Sequence, residues 1–293
     1  MLKSIAEDLK RNFKGGNVLI KIILINIIVF LLIAIIRSFS PGGPGNSFYQ
    51  ELISQLAIPA EPLKLLTRPW TIFTHMFVHE GFWHIFWNLL ILYWFGQITG
   101  DLLGDKKILP VYFYGGLSGA IAFFVFCQIY NPGHTMALGA SAAVMAIVLA
   151  AAVTSPDYRM HLILIGPVAI KYLALALVLI DLLSVANSPN SGGHVAHLGG
   201  AFFGAYFVHL LRNGTDLSAG FNNFNEKLKD HFRANPKKSK KSPLTVSHRR
   251  TDKEKGSMDH QEKLDQILDK IKQKGYESLN EEEKEFLFQA SKK

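Results

Sequence analysis

Six stretches of this chain are apolar over close to the ~20 residues that a helix needs to cross a bilayer. They run over about 18–36, 82–100, 108–130, 138–153, 168–186 and 193–211. Inside hydrocarbon, backbone N–H and C=O groups must be satisfied within the segment or within a closed barrel, so uninterrupted apolar runs of this length fold as helices. The expected fold class is an all-α polytopic membrane protein with six spans. No comparable run follows Leu211.

The stretch "MLKSIAEDLKRNFKGG" before the first run has the polarity of a signal peptide. The run behind it is long and ends in no small-residue cleavage site, so it is expected to be a retained helix. Lys3, Lys10, Arg11 and Lys14 precede it, and the tail beyond the sixth run is also basic. Both ends are therefore expected in the cytoplasm, as an even number of spans allows, with the bacterial plasma membrane as the expected location. Lys106, Lys107 and Arg159 fall in the inner loops and the outer loop 131–137 has no Lys or Arg, whereas Arg37, Lys64 and Arg68 on the outer side run against the trend. Clusters that flank spans account for the net charge of +8 through orientation and contact with anionic lipid. The single cysteine, Cys127, excludes a disulfide framework and a Cys-rich zinc site.

Four regions follow. Residues 1–17 form a cytoplasmic N-terminal segment and 18–211 the membrane domain. Residues 212–256 are basic and poor in apolar side chains, a flexible linker. It lacks interleaved aromatics and a reading motif, so a tether near lipid is expected and no nucleic-acid partner. Residues 257–293 form a small cytoplasmic helical hairpin: Leu264, Ile267, Leu268 and Ile271 have helical spacing, and "SLNEEE" after a Gly-Tyr break starts a second helix capped by Ser or Asn. The stripe and the Phe286/Leu287 pair suit a cytoplasmic protein partner.

Ionisable and polar groups inside spans are costly, so each asks for a role. His84 and Asn88 lie in span two, Ser141 in span four, Asp181 in span five, His194 and His197 in span six. Spans two, four and six all enter from the outer side, and His84, Asn88, Ser141 and His197 lie within the first turn or two. At 1.5 Å rise per residue they share a depth of roughly 5–10 Å. His84 and Asn88, at i and i+4, share one helix face. Ala196, Gly200 and Gly204 in span six, and Gly139, Ala143, Ala146 and Ala150 in span four, form small-residue stripes that permit close backbone approach. Ser141 and His197 then come within reach of one another.

A serine hydroxyl needs a base to become a nucleophile, and imidazole is suited to the task. His84, the Asn88 amide and the Ser141 N–H can serve a developing oxyanion. No carboxylate is obviously placed to orient His197, and Asp181, near the outer end of span five, is not given that role. His75 and His79 are expected to bond loop backbone. "HEGFWH" invites a zinc reading, but His-Glu-x-x-x-His is one residue longer than the helical motif, so no metal and no cofactor is expected. A channel would carry polar groups through the whole membrane depth rather than in the outer third.

The chain resembles the rhomboid family of intramembrane serine proteases over roughly residues 15–211. The resemblance rests on "HMFVHEGFWHIFWN", with His75, His79, His84 and Asn88; on "GASA", the family's Gly-x-Ser; and on "AHLGGAFFG". It implies a six-helix bundle around a water-filled cavity open to the outside, and a Ser141–His197 dyad with His84 and Asn88 at the oxyanion. Gly139, Gly200 and Gly204 support that arrangement. The implied substrates are single-pass membrane proteins whose segments unwind near the scissile bond; the alternative is a non-catalytic rhomboid-like chaperone. Three positions depart from the family pattern: Thr71 after Trp70, where the family often has arginine; Met145, where it often has an aromatic; and Ala142, where it often has glycine.

Overall fold

The computed structural model describes residues 17–40, 47–130, 136–162, 165–232 and 252–290. They fall into two units, Met1–Phe232 and Arg233–Lys293. The expected N-terminal segment, apart from Asn17, and the linker core 233–251 lie outside the described residues.

The first unit contains α1 (Val18–Phe39), α2 (Ser47–Leu56), α3 (Pro62–Thr67), a single turn α4 (Thr71–Thr74), α5 (Phe82–Leu103), α6 (Asp105–Tyr130), α7 (Ser141–Thr154), α8 (Ile170–Asn187), α9 (Ser191–Arg212) and α10 (Leu217–Phe232). Each of the six expected spans coincides with one of the longer helices α1 and α5 to α9, within a few residues. Helices α1, α6 and α8 are long and apolar enough to cross a membrane by length and composition alone. Helix α7 is apolar but has only 14 residues, ten of them buried, and is the central element of the bundle. Helices α5, α6, α8 and α9 pack around it.

Glycine makes that enclosure possible. A Cβ on Gly200 would stand 2.7 Å from the carbonyl carbon of Ala142, and one on Gly204 2.8 Å from that of Ala146. Helices α7 and α9 therefore touch backbone to backbone, as small-residue seams permit. The seam on α7 differs in part from the expected one: the Ala142 and Ala146 carbonyls face α9, while the Cβ atoms of Ala142, Ala143 and Ala146 face Gly119, Gly116 and Gly115 of α6. Ala146 of the expected stripe lies on that seam and Ala142 joins it, because α7 is buried over most of its surface and its small residues serve two neighbours.

Two short antiparallel pairs were not foreseen. β1 (Ile58–Pro59) pairs with β2 (Met136–Ala137), opposing Ile58 to Ala137, and β3 (Arg159–Leu162) pairs with β4 (Gly166–Ala169), opposing Arg159 to Ala169. They are too short for a two-residue periodicity to stand out in sequence. Asn26 of α1, also passed over in the sequence, is fully buried; its amide donates to the Ile22 carbonyl and to the hydroxyl of Tyr112, which donates to the Met76 carbonyl.

The linker does not begin at residue 212. Helix α10 packs on α6, with the ring of Phe221 5.7 Å from those of both Phe113 and Tyr114, and the Asp216 carboxylate 2.7 Å from Lys107 Nζ. The physical reason lies in Pro110, inside α6. Proline has no N–H for the carbonyl four residues earlier, and that carbonyl, of Lys106, accepts instead from the Asn222 amide at 3.1 Å.

The second unit begins before the expected residue 257, with α11 (Asp252–Lys274), followed by α12 (Glu281–Ala290). The cap of α12 is Asn280: its side chain accepts from the Glu283 N–H at 2.8 Å, and the Glu283 carboxylate accepts from the Asn280 N–H at 2.9 Å. This is a reciprocal capping box. Ile267 of the expected stripe is buried within the unit, whereas Leu268 is exposed.

Candidate active site

The segment ahead of α7 is pinned before Ser141 appears. The Gly139 N–H donates to the His75 carbonyl at 2.9 Å, and the Ala140 N–H donates to His79 Nε2 at 3.2 Å. His75 itself donates from Nδ1 to the Thr71 carbonyl at 2.9 Å. Gly139 has φ +120°, a left-handed conformation that disfavours side chains, and a Cβ there would stand 2.8 Å from His84 Nε2. Burial holds His75 down to about 4. Burial, with the neighbouring His84, holds His79 down to about 3. Both rings therefore stay neutral, as His79 must to accept a hydrogen bond at Nε2.

Ser141 opens α7. Its backbone N–H, like those of Ala142 and Ala143, precedes the first intrahelical partner and sits at the positive end of the helix dipole. Ser141 Oγ lies 2.6 Å from His197 Nε2. His84 and Asn88 line the same cavity of ≈ 720 Å³ as Ser141 and His197, together with Met145 and Asp181. The Asn88 amide donates one hydrogen to the His84 carbonyl at 2.8 Å, which leaves its second N–H for other partners. The His84 ring stands edge-on to His79 at 4.9 Å.

The structure corrects the reading of Asp181. Its Oδ1 lies 2.8 Å from His197 Nδ1 and 2.8 Å from His194 Nδ1. A signal for this was present in the sequence. Asp181 precedes the end of α8 by as many residues as His197 follows the start of α9, and a three-residue turn joins the two helices. An antiparallel hairpin of that shape sets the two residues at one depth. His194 touches the carboxylate rather than Ser141. Asp181, His194 and His197 are also the group of possible metal ligands among the described residues, with ligand atoms within 4.8 Å of one another. The hydrogen bonds among them and to Ser141 account for that closeness. "HEGFWH" forms no such group among the described residues: the Glu80 carboxylate accepts from the Tyr49 hydroxyl instead.

The departures from the expected pattern are accommodated locally. Thr71 is buried, and its hydroxyl donates to the Arg68 carbonyl at 2.7 Å. Trp70 donates from Nε1 to the Gln55 carbonyl. Ala142 fills the contact with Gly200 and Gly119.

Residues 66–214 match the model of the Rhomboid domain, and residues 249–293 match a family of unknown function, DUF6576. The chain is 29% identical over 157 residues to "RHOMBOID-like protein 12, mitochondrial" of Arabidopsis thaliana, covering 49% of this chain and 47% of that protein. It is 26% identical over 151 residues to "Presenilin-associated rhomboid-like protein, mitochondrial" of Bos taurus, covering 50% and 38%. It is 30% identical over 149 residues to "Rhomboid protease GluP" of Bacillus subtilis, covering 50% and 27%. The chain thus spans less than half the length of these relatives. Two of the three are mitochondrial by name, which gives no support to the expected bacterial plasma membrane. The Rhomboid domain covers just over half of the chain and contains Ser141, His197, His84 and Asn88; the protein is an all-α integral membrane protein that belongs to the rhomboid family.

Proposed function

We propose that this protein is an intramembrane serine endopeptidase that hydrolyses peptide bonds in or beside the transmembrane segments of single-pass membrane proteins. The observation that carries the reading is the 2.6 Å contact between Ser141 Oγ and His197 Nε2 in a cavity that also holds His84 and Asn88. In the first step the Oγ–H proton passes to His197 Nε2 as Oγ bonds to the substrate carbonyl carbon. The resulting oxyanion takes hydrogen bonds from the Ser141 N–H, the Asn88 amide and the His84 ring. His197 then returns its proton to the leaving amine as the C–N bond breaks, and water releases the acyl group by the same route. A helical substrate shields its peptide bonds, so the segment must unwind before attack.

The reading includes both termini on one, positively flanked side of the membrane, and a protein partner for the C-terminal hairpin. One of the relatives carries protease in its name. The test is cleavage of a transmembrane reporter by the purified chain beside Ser141→Ala and His197→Ala. Both variants should be folded and inactive, and the double variant no worse than either single one, because residues acting as a unit fail together. Cleavage by Ser141→Ala at the wild-type rate refutes the reading; a wild-type chain that binds the reporter and leaves it whole makes it a chaperone-like relative.

A further inference from the structure

We propose that Asp181 is a positioning residue for His197 and is itself held by His194, so that three residues rather than one prepare Ser141. The inference deepens the peptidase reading and rests on it. Its carrying observation is a continuous line of hydrogen bonds: Ser141 Oγ to His197 Nε2 at 2.6 Å, and His197 Nδ1 to Asp181 Oδ1 at 2.8 Å.

The line fixes where the imidazole proton sits. A neutral histidine carries one N–H and one lone pair, and a carboxylate can only accept. Asp181 therefore keeps the proton on Nδ1, which leaves the lone pair on Nε2 aimed at the Ser141 hydroxyl. The opposite tautomer would present Ser141 with a second donor and no base. When Ser141 gives its proton to Nε2 and Oγ bonds to the substrate carbonyl carbon, the ring becomes an imidazolium with both nitrogens protonated. The Nδ1–H stays on His197, and Asp181 remains a carboxylate beside the new positive charge. When the C–N bond breaks, the Nε2 proton leaves with the amine, and the starting tautomer returns.

The setting of Asp181 argues against an incidental contact. Helix α8 turns most of its surface outward, with Leu179, Ile180, Leu182 and Leu183 all exposed. Its buried residues are Ile170, Ala174 and Asp181. A carboxylate on the inner seam of a lipid-facing helix is costly unless it is satisfied, and Asp181 is satisfied by two imidazoles from α9. His194 and His197, at i and i+3, share a face of α9 and converge on the same oxygen. His194 thus fixes the carboxylate from one side, and His197 carries its orientation on to Ser141.

The experiment uses the full chain in detergent, with the transmembrane reporter and separate measurement of kcat and KM. In Asp181→Asn the amide can turn its NH2 toward Nδ1 and hold the wrong tautomer, so kcat should fall by about 10²-fold or more while KM stays within about twofold. Asp181→Ala should lose a similar factor and regain about tenfold in kcat when formate is added as a replacement carboxylate; Ser141→Ala should not respond to formate. A role confined to tying α8 to α9 would lower thermal stability and give no formate response. If Asp181→Asn does not fold, the formate response of Asp181→Ala decides by itself. Wild-type kcat in a folded Asp181→Asn, or no formate response in a folded Asp181→Ala, overturns the proposal. Neither touches the peptidase reading, which falls only if Ser141→Ala cleaves.

Discussion

Gly200→Ala tests the contact that sets the distance between nucleophile and base. The substitution adds one methyl group to α9, and that group would stand 2.7 Å from the Ala142 carbonyl carbon and closer still to its oxygen. Both are backbone atoms of the residue following Ser141, so no side chain can swing aside. Ordinary contact begins near 3.4 Å, so clearing the carbon alone requires α9 to retreat from α7 by about 0.7 Å, and clearing the nearer oxygen requires more. If His197 moves with its helix, the 2.6 Å bond to Ser141 opens to at least about 3.3 Å, past the usual range for an O–H donor.

The expected loss in kcat is on the order of 10-fold to 10²-fold, because an error of about 1 Å in the reacting groups costs about 10²-fold. Overpacking should lower stability by about 1–3 kcal/mol. The assay pairs reporter cleavage with the labelling rate of Ser141 by a fluorophosphonate, which reads the nucleophile without substrate docking. Gly220→Ala in α10, where an added Cβ meets nothing within 4 Å, is the control and should match wild type in both. A folded Gly200→Ala with wild-type labelling and cleavage would show that the α7–α9 seam does not set the dyad distance.

Ala at His84 or Asn88 should lower kcat by about 10²–10³-fold with KM little changed, as loss of an oxyanion donor does; unchanged turnover in Asn88→Ala removes that amide from the site. His75 and His79 make folding sensitive to acid. Their folded values, about 4 and about 3, lie below the unfolded 6.5, so below pH 6.5 the unfolded chain binds protons that the native one refuses. Stability should be full above pH 6.5 and fall by about 2 kcal/mol for each ring by pH 5, and His75→Gln should flatten that slope in a melting series across pH. A chain ending after Phe232 should keep wild-type cleavage, whereas one ending near residue 215 loses α10, uncovers the Lys106 carbonyl and should melt earlier; equal melting of the two would show that α10 adds nothing to the bundle.

Much of this arrangement was legible because membrane insertion narrows what a segment can do. Apolar length located the helices, and the shared depth of His84, Asn88, Ser141 and His197 came from counting residues inward from one side. What stayed hidden depended on rotation about a helix axis rather than on position along it. The α7 seam presents the Ala142 and Ala146 carbonyls to α9 while the Cβ atoms of Ala142, Ala143 and Ala146 all pack on glycines of α6, and nothing in α7 alone distinguishes its inward faces. Helix α10 escaped notice for a different reason. Its partner is a carbonyl stripped of its donor by Pro110, a need that is visible in α6 and answered more than a hundred residues later.

Asp181 shows how the two kinds of information combine. Its depth was available from the sequence, since the short turn after Asn187 folds α8 back on α9 and sets residues equidistant from the turn side by side. Depth alone would also suit a residue facing lipid, and Leu182 and Leu183 beside it do face outward. The energetic argument breaks the tie: an unpaired carboxylate is costly in hydrocarbon while an apolar residue is not. Of the outer-end residues of α8, Asp181 is therefore the one that must turn inward, and what it finds there is fixed by α9. His194 and His197, one turn apart, are the polar groups that α9 offers at that depth. The burial cost of the aspartate and the tautomer demand of the histidine are met by the same hydrogen bond.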